Sequence, residues 1–137
     1  MTSLIVDASV AVKWHVLQDY SEEARALAGR AELFAPDLII AEIANAIWKY
    51  VRAGQLAEEL GREMLRKSHA PFSALFPVPP LQLHAFDLAC ALKHPVYDCF
   101  YLALAARESV PLVTADKRLA SLGVALPGVE VRHLSAI

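Results

Sequence analysis

Basic charge is scarce in this 137-residue chain: 13 Lys and Arg stand against 15 Asp and Glu, for a net charge of −2. No basic run occurs, and a protein that grips nucleic acid through a broad basic face carries more. Any nucleic-acid binding therefore needs another source of positive field. Charged residues of both signs reach only 20%, below the roughly 25% of an average soluble domain. With 56% hydrophobic residues, a disordered chain is excluded. Cysteine is nearly absent. Cys90 and Cys99 lie in apolar helical segments, in neither a CxxC nor a disulfide framework, so both are expected to be small buried hydrophobes. No clean membrane span is legible, because Glu42 and Asp98 interrupt the two best candidates. The first residues lack a basic stretch and meet Asp7 too early for a signal peptide, so a cytoplasmic protein is expected. Motifs of the GxGxxG and GxxxxGKS/T types are missing, and the five His show no HxH or HExxH spacing. Those absences count against a dinucleotide or P-loop enzyme and against a zinc centre.

What is present is an alternation of short apolar runs with helical patterns. Leu4-Ile5-Val6 reads as a buried strand stopped at Asp7, with Ser9 capping a helical turn through Val10–Val16. Ser21 is expected to cap a second helix, with Glu22 and Glu23 favourably placed in its first turn. Leu33-Phe34-Ala35 reads as a brief middle strand ended by Pro36. Asp37 then caps a helix running to Ala53, stopped by Gly54. Leu56–Ser68 is an amphipathic helix with Glu59, Glu63 and Lys67 on its solvated side. A short strand falls within Leu75–Pro80, and helices cover Leu81–Leu92 and Val96–Arg107. Leu112-Val113-Thr114 is a strand, Asp116–Leu122 a short helix, and Val129–His133 an edge strand. The pattern predicts a single domain over residues 1–137, a three-layer α/β/α sandwich with a short, mainly parallel sheet. Trp14, Trp48, Tyr50, Phe72, Phe76 and Phe86 are expected to be mostly core. The apolar excess also suggests exposed patches and a homodimer.

Most acids lie in polar surroundings, and four do not. Asp7 and Asp116 each follow the C-terminal end of a strand, where open α/β sheets bind ligands. The competing role for each is a helix cap. Glu42 and Asp98 interrupt apolar helical windows, where a buried carboxylate must be paired, hydrogen-bonded or metal-bound. For Glu42 the alternative is a salt bridge to Lys or Arg; for Asp98 it is the helix dipole. Carboxylates gathered together repel unless cations lie between them. An all-oxygen cluster selects a hard ion, Mg²⁺ or Mn²⁺, and such ions serve phosphoryl chemistry.

Four segments carry a family resemblance: Val6-Asp7-Ala8-Ser9 through Lys13-Trp14, Pro36-Asp37-Leu38 through Glu42-Ile43-Ala44-Asn45, Tyr97-Asp98 with Tyr101-Leu102-Ala103, and Val113-Thr114-Ala115-Asp116. In this order and spacing they resemble the PIN-domain family, and within it the VapC toxins of prokaryotic toxin–antitoxin pairs. The resemblance implies a PIN-like fold and an Mg²⁺- or Mn²⁺-dependent ribonuclease, blocked by a small cognate antitoxin. It carries over Asp7, Glu42, Asp98 and Asp116 as the catalytic quartet. Asp7 and Asp98 would be metal ligands, with Glu42 and Asp116 acting directly or through water. Ser9, Asn45 and Thr114 are implied as supporting residues. Lys13, Lys117 and Arg118 stand near these acids in sequence and are candidates to hold substrate phosphates, the alternative being solvated surface charge. The segment from Gly54 to Lys93 matches only in outline.

Three other readings compete. A receiver-like or otherwise non-nuclease binding or signalling module would also cluster acids, but needs its phospho-accepting Asp at the end of a middle strand, where Leu33–Ala35 instead meets Pro36. A haloacid-dehalogenase-like phosphatase would want an Asp at position 9. A PIN ribonuclease in RNA maturation would share every residue named above.

Overall fold

Short apolar runs without polar alternation make strands that can be buried on both faces, as the central strands of the five-stranded sheet are here. The computed structural model describes residues 2–137; Met1, where the expected domain begins, lies outside the described residues. The strands are β1 (Thr2–Val6), β2 (Ala31–Pro36), β3 (Phe72–Phe76), β4 (Leu112–Thr114) and β5 (Val131–His133). Their order is β3-β2-β1-β4-β5, and every pairing is parallel, with Leu4 opposite Leu33 and Val6 opposite Val113.

The helices are α1 (Ala8–Ala11), α2 (Ser21–Arg30), α3 (Leu38–Arg52), α4 (Glu58–Lys67), α5 (Gln82–Leu92), α6 (Val96–Glu108) and α7 (Lys117–Leu122). Successive residues of a strand point to opposite faces, and the core divides accordingly. Ile5 and Leu112 pack with Ile39, Ile43 and Ile47 of α3 and with Leu102 and Leu104 of α6. Leu4, Val6 and Val113 pack on the other side with Val10, with Ala24 and Leu27 of α2, and with Leu134. This makes the expected three layers. The four-residue spacing of Ile39, Ile43 and Ile47 turns one stripe of α3 into the core and leaves Glu42 and Asn45 on another. Each such buried Ile or Leu stabilises the fold by roughly 1.5–3 kcal/mol.

The chain runs β1, β2, β3 in one direction, then crosses back to place β4 on the far side of β1. That reversal opens a crevice beyond the C-terminal ends of β1 and β4, the position at which open α/β sheets take ligands. The central strand is therefore β1 and not the Leu33 segment. Order along the chain does not dictate neighbours when helical crossovers connect the strands.

Local details depart from expectation for identifiable reasons. Asp7, not Ser9, caps α1: its side chain accepts from the Val10 amide, while Ser9 turns back to Asp7. Helix α1 lasts four residues before tightening into a 3-10 turn at Val12–Trp14. Ser21 does not cap α2, whose preceding residue Tyr20 sits in the left-handed region without a side-chain bond to the helix. The Ser21 hydroxyl instead accepts from the Gln18 amide and donates to the Val16 carbonyl, closing the loop before it. Asp37 precedes α3 with no side-chain bond to it. Strand β3 ends at Phe76, because the prolines at 77, 79 and 80 have no N–H to offer a ladder. Helix α4 carries Arg62 paired with Glu58 and Glu59, and Arg66 with Glu63. These exposed pairs are worth little.

Candidate active site

The end of β1 delivers Asp7 into the crevice, where only 5% of the residue is exposed. Its Oδ1 accepts from the Ser9 hydroxyl at 2.6 Å and the Val10 amide at 3.3 Å. Its Oδ2 accepts from the Thr114 hydroxyl at 2.5 Å. The Ser9 hydroxyl accepts from the Ala115 amide at 2.9 Å, and Thr114 from the Asp116 amide at 3.0 Å. Two strand ends are thus laced together through one carboxylate. Burial pushes Asp7 up to about 6, against the pull of its hydrogen bonds from Ser9, Thr114 and Val10, and Asp98 pushes the same way as burial.

Glu42 projects from α3, and its Oε1 accepts from the Tyr101 hydroxyl at 2.5 Å. No Lys or Arg pairs with it among the described residues. Burial raises its pKa, the Tyr101 bond lowers it, and the charges of Asp7 and Asp98 raise it again. Tyr101 holds its own proton well above the usual phenol range, through burial and then through Glu42. Asp98, in the first turn of α6, has Oδ2 2.6 Å from Nε2 of His94. The other ring nitrogen of His94 is buried without a partner, which puts the proton on Nε2, donated to Asp98. Asp116 is exposed and caps α7, with Oδ1 accepting from the Arg118 and Leu119 amides.

Asp7, Glu42 and Asp98 therefore lie within one another's fields, while Asp116 stands at the rim. Among the described residues no three His, Cys, Asp or Glu side chains converge closely enough to hold a metal ion. Each carboxylate has turned to its own donor. In chemistry, however, the set fits a hard divalent cation: all the donors are oxygens, and mutual repulsion is what such an ion relieves.

Above them runs an open groove of about 890 Å³, with Ser9, Lys13, Glu42, Asn45, Tyr97 and Asp116 among its lining. Asp7 and Asp98 lie outside that lining. Thr114 is fully buried. Lys117 and Arg118 are exposed and do not line the groove, whereas Lys13 does. Sequence reasoning missed Tyr101 and His94. Neither carried a signal: Tyr101 sits in an apolar window and reaches Glu42 on another helix, and His94 lies outside α6, before Pro95.

Cys99 is buried as expected, but Cys90 is exposed. Burial and then Asp98 push the Cys99 thiol up to about 11, so no thiolate serves the site. Trp48 and Phe86, expected in the core, are exposed on the outer faces of α3 and α5. Trp14 is half-buried and donates from Nε1 to the Ala24 carbonyl at 2.8 Å.

Carboxylates at the switch point of an all-parallel five-stranded sheet define an α/β protein with an acid-bearing crevice beneath an open groove. The PIN domain family model matches residues 4–125, and the chain belongs to that family. Ribonuclease VapC3 of Pyrobaculum aerophilum is 38% identical over 120 residues, covering 85% of this chain and 92% of the relative. The crystal structure of PAE2754 from Pyrobaculum aerophilum superposes with a TM-score of 0.72 at 22% identity, covering 98% of this chain and 85% of the other. VapBC2 from Rickettsia felis, solved bound to a DNA fragment from their promoter, gives a TM-score of 0.69 at 13% identity, covering 96% and 98%. These two likenesses concern the fold.

Proposed function

We propose that this chain, read as one domain over residues 1–137, is an endoribonuclease and the toxin of a toxin–antitoxin pair. The observation that carries the reading is a buried, hydroxyl-bonded Asp7 at the switch point, with Glu42 held by Tyr101 and Asp98 by His94. Membership of the PIN family and the kinship with a VapC ribonuclease support it. Asp7 and Asp98 would hold Mg²⁺ or Mn²⁺, with Glu42 and Asp116 reaching it directly or through water. Such an ion, when bound, activates water and neutralises charge on a scissile phosphate.

The protein's own residues do the positioning. Ser9 and Thr114 fix both oxygens of Asp7, Tyr101 fixes Glu42, and His94 fixes Asp98. These hydrogen bonds hold each carboxylate on its own element, and the acids would turn toward a cation from those anchors. Asn45 shares a helix face with Glu42 and lines the groove beside it.

A cognate antitoxin, a homodimer and a cytoplasmic location belong to the same reading. Light scattering at micromolar concentration that found a monomer would remove the homodimer from it. The receiver-like alternative gains a central strand ending in Asp, but both oxygens of Asp7 are engaged by hydroxyls and the residue is buried. It is poorly placed to attack a phosphodonor. The deciding experiment is RNA cleavage with Mg²⁺, with Mn²⁺ and with EDTA, beside Asp7→Asn. Metal-dependent cleavage that falls by orders of magnitude in the variant is expected. Cleavage by Asp7→Asn at the wild-type rate would sink the assignment.

A further inference from the structure

Lys13 lies in the 3-10 turn after α1, is only 8% exposed, and still lines the groove. Its ammonium donates to Oε1 of Gln18 at 3.0 Å, and among the described residues no carboxylate pairs with it. The amide nitrogen of Gln18 donates in turn to the Tyr50 hydroxyl on α3. Tyr50 thereby sets the amide so that its oxygen faces Lys13. A mostly buried lysine side chain whose bonded partner is a neutral amide reaches the groove without a counter-charge. A bound anion would supply that charge.

The relay sits along the groove from the acids. It ends at Tyr50, and Lys49, exposed on the same wall, stands two helical turns beyond Glu42, roughly 10 Å along the axis. The groove thus has an acidic region and, further along α3, two cations. Tyr97, also lining it, is 61% exposed and offers a face on which an unpaired base can stack.

We propose that Lys13, oriented by Gln18 and Tyr50 and seconded by Lys49, forms a subsite for a backbone phosphate of single-stranded RNA neighbouring the one cleaved. This rests on the ribonuclease reading above and adds to it how the substrate is held.

The test uses a short fluorescent single-stranded RNA of mixed sequence. Binding is followed by anisotropy across a salt series in the Asp7→Asn background, with and without Lys13→Met. Cleavage and melting temperature are measured in otherwise wild-type protein carrying Lys13→Met, Lys13→Arg or Gln18→Leu. Lys13→Met should weaken RNA binding about tenfold and flatten the dependence of log K on log salt by about 0.7, one phosphate contact on a single strand. It should raise KM with little change in kcat, and leave the melting temperature equal or higher, because a buried unpaired charge is gone. Lys13→Arg should recover most of the affinity. Gln18→Leu, which keeps the cation and removes its anchor, should fall between and covers the case of a poorly folding Lys13 variant.

A Lys13→Met protein with a lower melting temperature but wild-type KM and salt dependence would make Lys13 structural and overturn the subsite alone. A wild-type protein that neither binds nor cuts RNA would overturn the ribonuclease reading and the subsite with it.

Discussion

The Tyr101 hydroxyl donates to Glu42 at 2.5 Å across 59 positions of sequence, joining the middle of α6 to the first half of α3. It is the bond that opposes the upward push of burial on the Glu42 carboxyl. Tyr101→Phe keeps the ring in place and deletes only the donor. Glu42 should then ionise at higher pH, moving the acidic limb of the pH–activity profile upward. Activity at neutral pH should fall roughly tenfold, as when an orienting partner of a ligand is removed. An unshifted profile would mean that Glu42 takes no part in the reaction.

Asp7 makes stability depend on pH in an unusual direction for an acid. Its folded carboxyl binds a proton up to about 6, against 3.8 for a free aspartate side chain. Between those values the folded state holds more protons than the unfolded one, so stability falls as pH rises through the window. Above it the penalty is constant, on the order of 2–3 kcal/mol. Asp7→Asn removes the charge, and the Ser9 and Thr114 hydroxyls can turn to suit the amide. In EDTA at pH 7.5 the variant should melt higher than wild type. At pH 4 the difference should shrink.

A divalent cation should offset that same penalty. Mg²⁺ at 100 times its dissociation constant would add about 2.7 kcal/mol, and only to a site whose carboxylates are ionised. Thermal shifts with Mg²⁺ should therefore be larger at pH 7.5 than at pH 5, and nearly vanish in Asp7→Asn. Equal shifts in the two proteins would place the ion elsewhere.

The far edge of the sheet allows a test independent of chemistry. A Cβ at Gly123 would lie 2.5 Å from Cγ2 and 2.7 Å from Cβ of Val131, with β-branched stiffness leaving that side chain little room. Gly123→Ala should cost about 1–3 kcal/mol by overpacking, read by denaturant midpoint.

Asp7, Thr114 and Asp116 were legible in the sequence because an apolar run ending in a polar residue marks the end of a buried strand. Glu42 and Asp98 were legible because a charge in an apolar helix needs a reason. Their partners were not. Tyr101 sits in a window that reads as core, and it is core at 1% exposure. Only its hydroxyl reaches the site. Sheet order was hidden because a helical crossover leaves the next strand free to land on either side. Trp48 and Phe86 were misjudged for a related reason: composition says how much apolar surface exists, not which helix face a neighbour covers. Asp37 illustrates the reverse case, a residue in capping position whose side chain makes no cap.

The lacing of Asp7 to Thr114 spans 107 positions, and this has a consequence for how the protein is made. The hydroxyl that fixes the second oxygen of Asp7 is synthesised 107 positions after the acid itself. Until then the hydroxyl bond to Oδ2 of Asp7 is missing, and that oxygen is left to water. The lacing of the two strand ends is thus among the later contacts a nascent chain can make, and the crevice around Asp7 closes only once Thr114 has followed.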